Sequence, residues 1–176
     1  MFSWFYDAFE AIRDFMELGG DVLFLIALTI FLMWMLVFER LVFYQVELKN
    51  RRSAIYDDWE ARNERQSWEA HQIRDRMISE FNMAVRRSLP IVQTLVALCP
   101  LLGLLGTVTG MIEVFDVMAI AGSGNPRSMA SGVSKATIPT MAGMVGALSG
   151  VFWTTYLTRR ADREVEDLEE HLTMDH

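Results

Sequence analysis

The sequence predicts an all-α membrane protein with three transmembrane helices, the second and third extending as long helices into the cytoplasm. Three stretches contain no charged residue: Val22–Phe38, Ser88–Ile112 and Ala136–Thr158. They hold 17, 25 and 23 residues, and a helix needs about 20 mostly apolar residues to cross a hydrocarbon core. The charged residues lie between and after these stretches. This pattern argues against a soluble enzyme, a nucleic-acid-binding protein and a disulfide-stapled secreted domain.

The first 44 residues are predicted to form a surface helix followed by the first span. In residues 1–20, aromatic and aliphatic side chains recur at helical spacing between acidic residues, which is typical of an amphipathic helix at a membrane surface. Gly19 and Gly20 end this helix before the first span, residues 21–44. Because acidic residues stand where a signal peptide carries positive charge, we expect the first span to remain in the mature protein.

A charged insert separates the first span from the other two. Residues 45–88 contain no glycine or proline, and they are predicted to form a cytoplasmic helical hairpin that continues directly into the second span, residues 89–118. A periplasmic turn at 119–128 joins the second span to the third, residues 129–157. An acidic cytoplasmic helix or tail follows at 158–176.

The distribution of basic residues predicts the orientation. Thirteen Lys and Arg residues belong to the insert with its flank and to the C-terminal tail, against only Arg13 and Arg127 on the other side. Cytoplasmic loops are enriched in Lys and Arg. We therefore expect a multi-pass membrane protein with the insert and the C-terminus in the cytoplasm and the N-terminus outside.

The second and third spans combine small residues with hydroxyl groups. Glycines spaced by three or four residues let helices approach closely, so six of them are predicted to pack helices: Gly103, Gly106, Gly110, Gly143, Gly146 and Gly150. Each hydroxyl taken singly is accounted for by a bond to its own helix. Taken together on one hairpin they indicate a face in contact with water: Thr107, Thr109, Ser134, Thr137, Thr140 and Ser149.

Lys135 is the strongest single signal in the spans. A lysine inside a span costs about 2.5–3.5 kcal/mol on insertion scales, so it needs a partner or water. It either extends to the outer interface or pairs with a carboxylate. If Thr107 and Thr140 lie at the same height of an antiparallel hairpin, Lys135 is level with residue 112. We therefore predict an intramembrane charge pair with Glu113, or with a carboxylate on a partner helix.

Nothing in the sequence resembles the site of an enzyme. It contains no phosphate-binding loop, no cluster of metal ligands and no cofactor motif, and its three histidines are isolated in polar segments. The single cysteine, Cys99, lies within an apolar run, where a thiol acts as packing. We predict no catalytic residue, no metal and no cofactor.

The run Cys-Pro-Leu-Leu-Gly-Leu-Leu-Gly-Thr-Val-Thr-Gly at residues 99–110 resembles the second-span signature of the ExbB/TolQ/MotA proton-channel family. Residues 132–143 resemble the third-span pattern of that family. The resemblance implies a protein of the bacterial inner membrane, with a periplasmic N-terminus and a cytoplasmic C-terminus. It also implies a homopentamer around the membrane helices of ExbD-like single-span subunits, in contact with membrane lipid. Proton motive force would then drive the partner's movement, which a TonB-like protein transmits to outer-membrane receptors.

The resemblance also assigns residues. Thr107 matches the pore-lining threonine of the second span and Thr140 the threonine of the third-span motif; with Thr137 and Ser134 they form the predicted ion pathway. Lys135 is a departure, because most ExbB and TolQ proteins have glutamate there. Either the acid has moved to Glu113 with Lys135 as its counter-ion, or Lys135 acts directly on the partner's aspartate. Pro139 is a second departure, expected to kink or loosen the third span.

Two alternatives stay open beside the small ExbB of a TonB system. One is a TolQ-like subunit of the Tol-Pal system, which shares the motifs. The other is a scaffold that conducts no ions and only holds partners together. The scaffold accounts equally well for the small-residue helices, and less well for the transmembrane lysine and the set of hydroxyls.

Overall fold

The computed structural model describes residues 2–62, 64–122 and 126–172, and this part of the chain is all-α. Its helices are α1 (Phe2–Glu60), α2 (Trp68–Arg86), α3 (Leu89–Ala121) and α4 (Pro126–His171). Three helical stretches are long and apolar enough to cross a membrane: Gly20–Glu60, Trp68–Ile120 and Met129–His171. The predicted fold class is confirmed, and the chain is a multi-pass membrane protein.

Helix α1 is kinked at Gly20, where φ is 65° and ψ is −164°. Residues with a Cβ rarely adopt this conformation, whereas glycine does so at little cost. A Cβ added at this position would meet no atom within 4 Å. The backbone angle therefore explains the glycine, and the kink lies where the sequence predicts that the N-terminal helix ends.

Helices α2 and α3 are separated by a two-residue turn at Arg87 and Ser88, where the sequence predicts one continuous helix. The physical reason is Pro90. A proline has no N–H to donate to the carbonyl four residues earlier, and its ring clashes with that carbonyl, here the one of Arg86. The stretch Trp68–Ile120 is thus long enough to form one rod, but it is divided at this point.

The chain divides into two compact units. Unit 1 consists of Met1–Met33 and Thr94–Gly150, and unit 2 of Trp34–Gln93 and Val151–His176. Helices α1, α3 and α4 contribute to both units, whereas α2 belongs to unit 2 alone.

Unit 2 holds the charged insert and the C-terminal helix around an apolar core. Its buried residues recur every three or four positions along each helix, as expected for one face of a helix packed against others. They include Val37, Tyr44 and Leu48 on α1, Phe81 and Val85 on α2, and Leu157, Ala161, Val165 and Leu168 on α4.

The end of α2 is stabilised by two side chains of α1. The guanidinium of Arg40 donates to the carbonyl of Ala84 at 3.0 Å and to the hydroxyl of Ser88 at 2.8 Å. The hydroxyl of Tyr44 donates to the carbonyl of Val85 at 3.0 Å. Both carbonyls belong to the last turn of α2, where no further helical N–H is available. A buried cation is also favourable at a helix C-terminus.

The acidic C-terminal helix is tied to the insert by arginines. Arg52 pairs with Glu164 at 3.1 Å and Arg86 with Asp162 at 2.6 Å. Arg74 donates to the carbonyls of Leu172 and Glu169 at 2.7 and 2.9 Å, and so caps the end of this helix. Part of the acidity at the C-terminus therefore serves contacts within unit 2.

Unit 1 is built on close contact between α3 and α4. A Cβ added at Gly143 would lie 2.5 Å from the carbonyl oxygen of Cys99, and one added at Gly103 would lie 3.0 Å from the Cα of Thr140. Backbone therefore touches backbone at this crossing. Further along, Gly110 faces Ala136, so the two helices run antiparallel.

The other glycines of unit 1 accept side chains. Gly146 and Gly150 make room for Ile30 and Met33 of α1. Gly106 makes room for Pro139, which is buried. Helix α4 continues across this proline, so the structure gives Pro139 a packing role where the sequence suggests a kink.

The capping bond from Tyr44 predicts a stability difference. Tyr44→Phe leaves the buried Val85 carbonyl without its donor, so we expect the free energy of unfolding to fall by about 1–3 kcal/mol. Denaturant unfolding of the full chain in detergent, followed by circular dichroism, measures this loss.

Tyr156→Phe is the matched control. Tyr156 is 46% exposed, and within the described residues only its ring is engaged, against Trp153. We expect the control to stay within about 0.5 kcal/mol of the parent protein. Equal losses for the two variants would contradict the capping role.

Candidate functional site

Two threonines meet where α3 crosses α4. The hydroxyls of Thr107 and Thr140 are in direct contact. The hydroxyl of Thr140 also lies 2.9 Å from the carbonyl oxygen of Gly103, and that of Thr107 lies 3.2 Å from the same oxygen. Three oxygen atoms therefore form one closed cluster, which we call the threonine pair with its Gly103 acceptor.

The cluster contains two hydroxyl protons, one on each threonine, but three oxygen–oxygen contacts. A hydroxyl carries one proton and two lone pairs. If one hydroxyl donates to the other, the second donates to the Gly103 carbonyl, and no proton is left over. The lone pairs that remain can only accept. The threonine pair is thus preset to receive a hydrogen bond from water or from a protonated acid.

Glycine makes this cluster possible. The carbonyl of Gly103 reaches Thr140 only because the backbones of α3 and α4 approach so closely at this crossing. A side chain at Gly103 would first meet the backbone of Pro139 and Thr140, at 3.1 and 3.0 Å. The packing glycines and the threonine pair are therefore parts of one arrangement.

One edge of the threonine pair faces outward. Leu104 lies one turn before Thr107 and is 60% exposed, and Met144 lies one turn after Thr140 and is 61% exposed. Thr137 and Ser134 are also exposed. The hydroxyl of Thr137 donates to the Ser134 carbonyl of its own helix at 2.8 Å.

The remaining hydroxyls bond locally. Thr109 donates toward the carbonyls of Leu105 and Gly106, and Ser149 toward that of Gly146. Of the six hydroxyls in the hairpin, only Thr107 and Thr140 bond across helices among the described contacts. A hydrogen bond to their own helix therefore accounts for the hydroxyls of Thr109, Thr137 and Ser149.

A separate cavity of about 510 Å³ holds the charged residues of unit 1. Its wall includes Lys135 of α4, Glu113 of α3 and Asp21 of α1. Lys135 and Glu113 face the same space, but no ion pair joins them in the part of the chain that the structure describes. Direct pairing of these two residues stays a prediction.

The cavity and the threonine pair lie on different sides of the antiparallel pair α3 and α4. At about 100° per residue, Lys135 is about 140° around α4 from Thr140, and Glu113 is about 120° around α3 from Thr107. Neither threonine lines the cavity, whereas Gly20, Asp21 and Val22 do. Helix α1 therefore forms part of the cavity wall, and the threonine pair lies outside the lining.

Asp21 is the residue that sequence reasoning did not connect to the site. It stands directly after the kink at Gly20 and directly before the first uncharged stretch. The sequence does contain an indication of its importance, because a carboxylate at the edge of a span is energetically costly unless it has a partner. Which neighbours it meets depends on how α1 packs, and this cannot be read from spacing within one helix.

Residues 39–170 match the sequence pattern of the MotA/TolQ/ExbB proton channel family. The match covers well over half of the chain. The chain belongs to this family.

Several relatives within the family carry ExbB in their names. The chain is 38% identical over 94 residues to the biopolymer transport protein exbB1 of Vibrio cholerae, covering 53% of this chain and 40% of the relative. It is 46% identical over 67 residues to a putative ExbB-like protein of Synechocystis, covering 36% and 26%. The biopolymer transport protein ExbB of Helicobacter pylori is 28% identical over 133 residues, 75% of either chain. The chain thus spans less than half the length of the first two.

Disulfide formation can test whether the threonine pair and the cavity lie on different sides of α3 and α4. In a Cys99→Ala background, we expect Thr107→Cys combined with Thr140→Cys to form an intramolecular disulfide, because the hydroxyls of the parent residues touch. Trypsin cleaves after Arg127 and Lys135, between the two positions. The disulfide therefore holds two tryptic peptides together until reductant is added, which mass spectrometry detects.

Thr109→Cys combined with Thr140→Cys is the control. Thr109 lies about 160° around α3 from Thr107, so we expect no linked peptides. Linkage of the control pair at the same rate would contradict the assignment of the two sides.

Proposed function

We propose that this chain is an ExbB-like subunit of a proton-driven motor in the bacterial inner membrane. With an ExbD-like single-span partner it would energise TonB-dependent transport across the outer membrane. The observation that carries the proposal is the threonine pair, placed at the glycine crossing of α3 and α4 with one edge exposed. Family membership and the ExbB names of the relatives support the ExbB branch over TolQ.

The proposed assembly is a ring of five copies with the threonine pairs facing the central pore. The exposed apolar residues beside the pair support this, because in a membrane such a surface is covered by lipid or by protein. Hydroxyls in an otherwise apolar pore can hold water and pass hydrogen bonds along it. Five threonine pairs at one level would form a ring of acceptors around the partner's helices.

The proton count of the cluster suggests how such a ring treats the partner's carboxyl group. A protonated carboxyl donates to the free lone pairs without disturbing the cluster. An ionised carboxylate needs a donor, and a hydroxyl can supply one only by giving up its bond to Gly103 or to the other threonine. The ring therefore favours the neutral acid, and loss of the proton is coupled to movement away from it. One charge crossing 100 mV releases about 2.3 kcal/mol for this work.

In this proposal Lys135 compensates the charge of Glu113 across the cavity, without a direct ion pair. It shares a cavity with Glu113 and lies on the other side of the hairpin from the threonine pair. This supports the explanation in which the family's acid has moved to Glu113. It speaks against direct action of Lys135 on a carboxyl group held at the threonine pair.

The proposed orientation rests on charge. All thirteen basic residues assigned to the cytoplasmic side belong to unit 2, and unit 1 holds only Arg13, Arg127 and Lys135. Following the bias of basic residues toward the cytoplasm, unit 2 carries the cytoplasmic part and the C-terminus. The N-terminal helix before Gly20 then lies on the periplasmic side.

The first test is the mass of the detergent-extracted complex by native mass spectrometry. We expect five copies of the chain alone, and five copies with two of the partner when an ExbD-like protein is co-expressed. A stable monomer or dimer that does not bind the partner cannot enclose a pore and would contradict the proposal.

The second test removes single hydroxyls. Thr107→Val or Thr140→Val keeps the side-chain shape but takes one oxygen from the cluster. We expect each change to abolish TonB-dependent uptake by cells, while the amount of protein and the mass of the complex stay unchanged.

Thr158→Val is the matched control, because within the described residues Thr158 donates only to the Thr154 carbonyl of its own helix, at 2.8 Å. We expect it to retain uptake. Retention of uptake by all three variants would favour a scaffold that conducts no ions.

A further inference from the structure

The charged cavity of unit 1 has the size and composition of a ligand site. Its volume of about 510 Å³ lies within the range of small-molecule sites in proteins, about 300–1,000 Å³. The charged lining residues are Asp21, Glu113 and Lys135, and the apolar lining residues include Val114 and Val117. The cavity thus offers both charged and apolar surface to a ligand.

The three charged groups have no ionic partner among the described residues. No ion pair or side-chain hydrogen bond joins Asp21, Glu113 or Lys135 to any part of the chain that the structure describes. Charged groups at the edge of a membrane span need compensation by water, protein or ligand. A ligand that satisfies this cavity must bring a cation for two carboxylates and an anion for one ammonium.

We propose that this cavity binds the headgroup of an aminophospholipid such as phosphatidylethanolamine. Its primary ammonium would bind the carboxylates of Asp21 and Glu113, and its phosphate the ammonium of Lys135. Each contact is a charge-assisted hydrogen bond, the strong class in proteins. The apolar wall would take the glycerol and the first carbons of the acyl chains.

The two carboxylates and the ammonium of the cavity distinguish this lipid from others. A primary ammonium offers three N–H donors to carboxylates, whereas the quaternary ammonium of phosphatidylcholine offers none. Phosphatidylglycerol has the phosphate but no cation, so it would bring a negative charge toward two carboxylates. We expect affinity in the order phosphatidylethanolamine, phosphatidylcholine, phosphatidylglycerol.

The kink in α1 contributes to this site. Gly20 lies in the wall and its positive φ turns the chain directly before Asp21. A straight helix through this point would place the following side chains at another angle. The glycine therefore has a role in positioning the carboxylate that α1 supplies.

The sequence allows a selective test, because Lys49 and Lys135 are its only lysines. The full chain is labelled with ¹⁵N at the lysine side chains, purified in detergent, and titrated with each lipid while the ammonium signals are followed by NMR. We expect phosphatidylethanolamine to move the Lys135 signal and to leave that of Lys49 in place. A Lys135 signal that does not shift with phosphatidylethanolamine, or that shifts equally with all three lipids, overturns the proposal.

Variants supply the second measurement. Glu113→Gln and Lys135→Gln each remove one charge-assisted contact, and we expect about a tenfold or larger loss of bound phosphatidylethanolamine in native mass spectrometry. Asp116→Asn and Lys49→Gln remove the same charges from positions outside the cavity wall and should bind as the parent does. Equal binding by all four variants overturns the proposal.

A water-soluble compound separates the two sources of this headgroup. Glycerophosphoethanolamine has the same polar groups without acyl chains, and we expect it to bind at least about tenfold more weakly, since burial of hydrocarbon adds to affinity. Equal binding would overturn the assignment to a membrane lipid. All of these measurements use the chain without partners, so their outcome is independent of the proposed motor.

Discussion

Backbone contact between α3 and α4 is the constraint on which unit 1 depends. Gly143 lies against the carbonyl of Cys99, and Gly103 against the Cα of Thr140. Once these points touch, the rotation of each helix is set. That rotation brings Thr107 to Thr140, places Lys135 and Glu113 on the opposite side, and leaves room for Ile30 and Met33 of α1. The chemistry of both sides therefore follows from the absence of a few side chains.

Much of this arrangement is readable from the sequence. Three uncharged stretches predict the helices that can cross a membrane, and the glycine spacing predicts a close hairpin. The assumption that Thr107 and Thr140 lie level places Lys135 beside residue 112, and the structure puts Lys135 and Glu113 around one cavity. These inferences depend on periodicity within single helices and on one antiparallel register, which the sequence displays directly.

The rest depends on contacts between distant parts of the chain. Nothing in the pattern around Asp21 says that it lines one cavity with residues of α3 and α4. The packing of α1 is decided by side chains such as Ile30 and Met33, which occupy space over glycines. The division between α2 and α3 has a local cause in Pro90. Arg40 and Tyr44, more than forty residues away in the sequence, supply donors to the carbonyls of Ala84 and Val85 at the end of α2.

That junction has a mechanical consequence. A continuous helix passes axial force and torque through its own ladder of backbone hydrogen bonds. Between Arg86 and Leu89 the ladder is interrupted, and beside the covalent chain the Arg40 guanidinium of α1 links the two sides through Ala84 and Ser88. Side-chain bonds of this kind can loosen and re-form without unwinding a helix. Axial force along the stretch from Trp68 to Ile120 therefore does not have an unbroken helical ladder to follow, and a side chain of α1 bridges the gap.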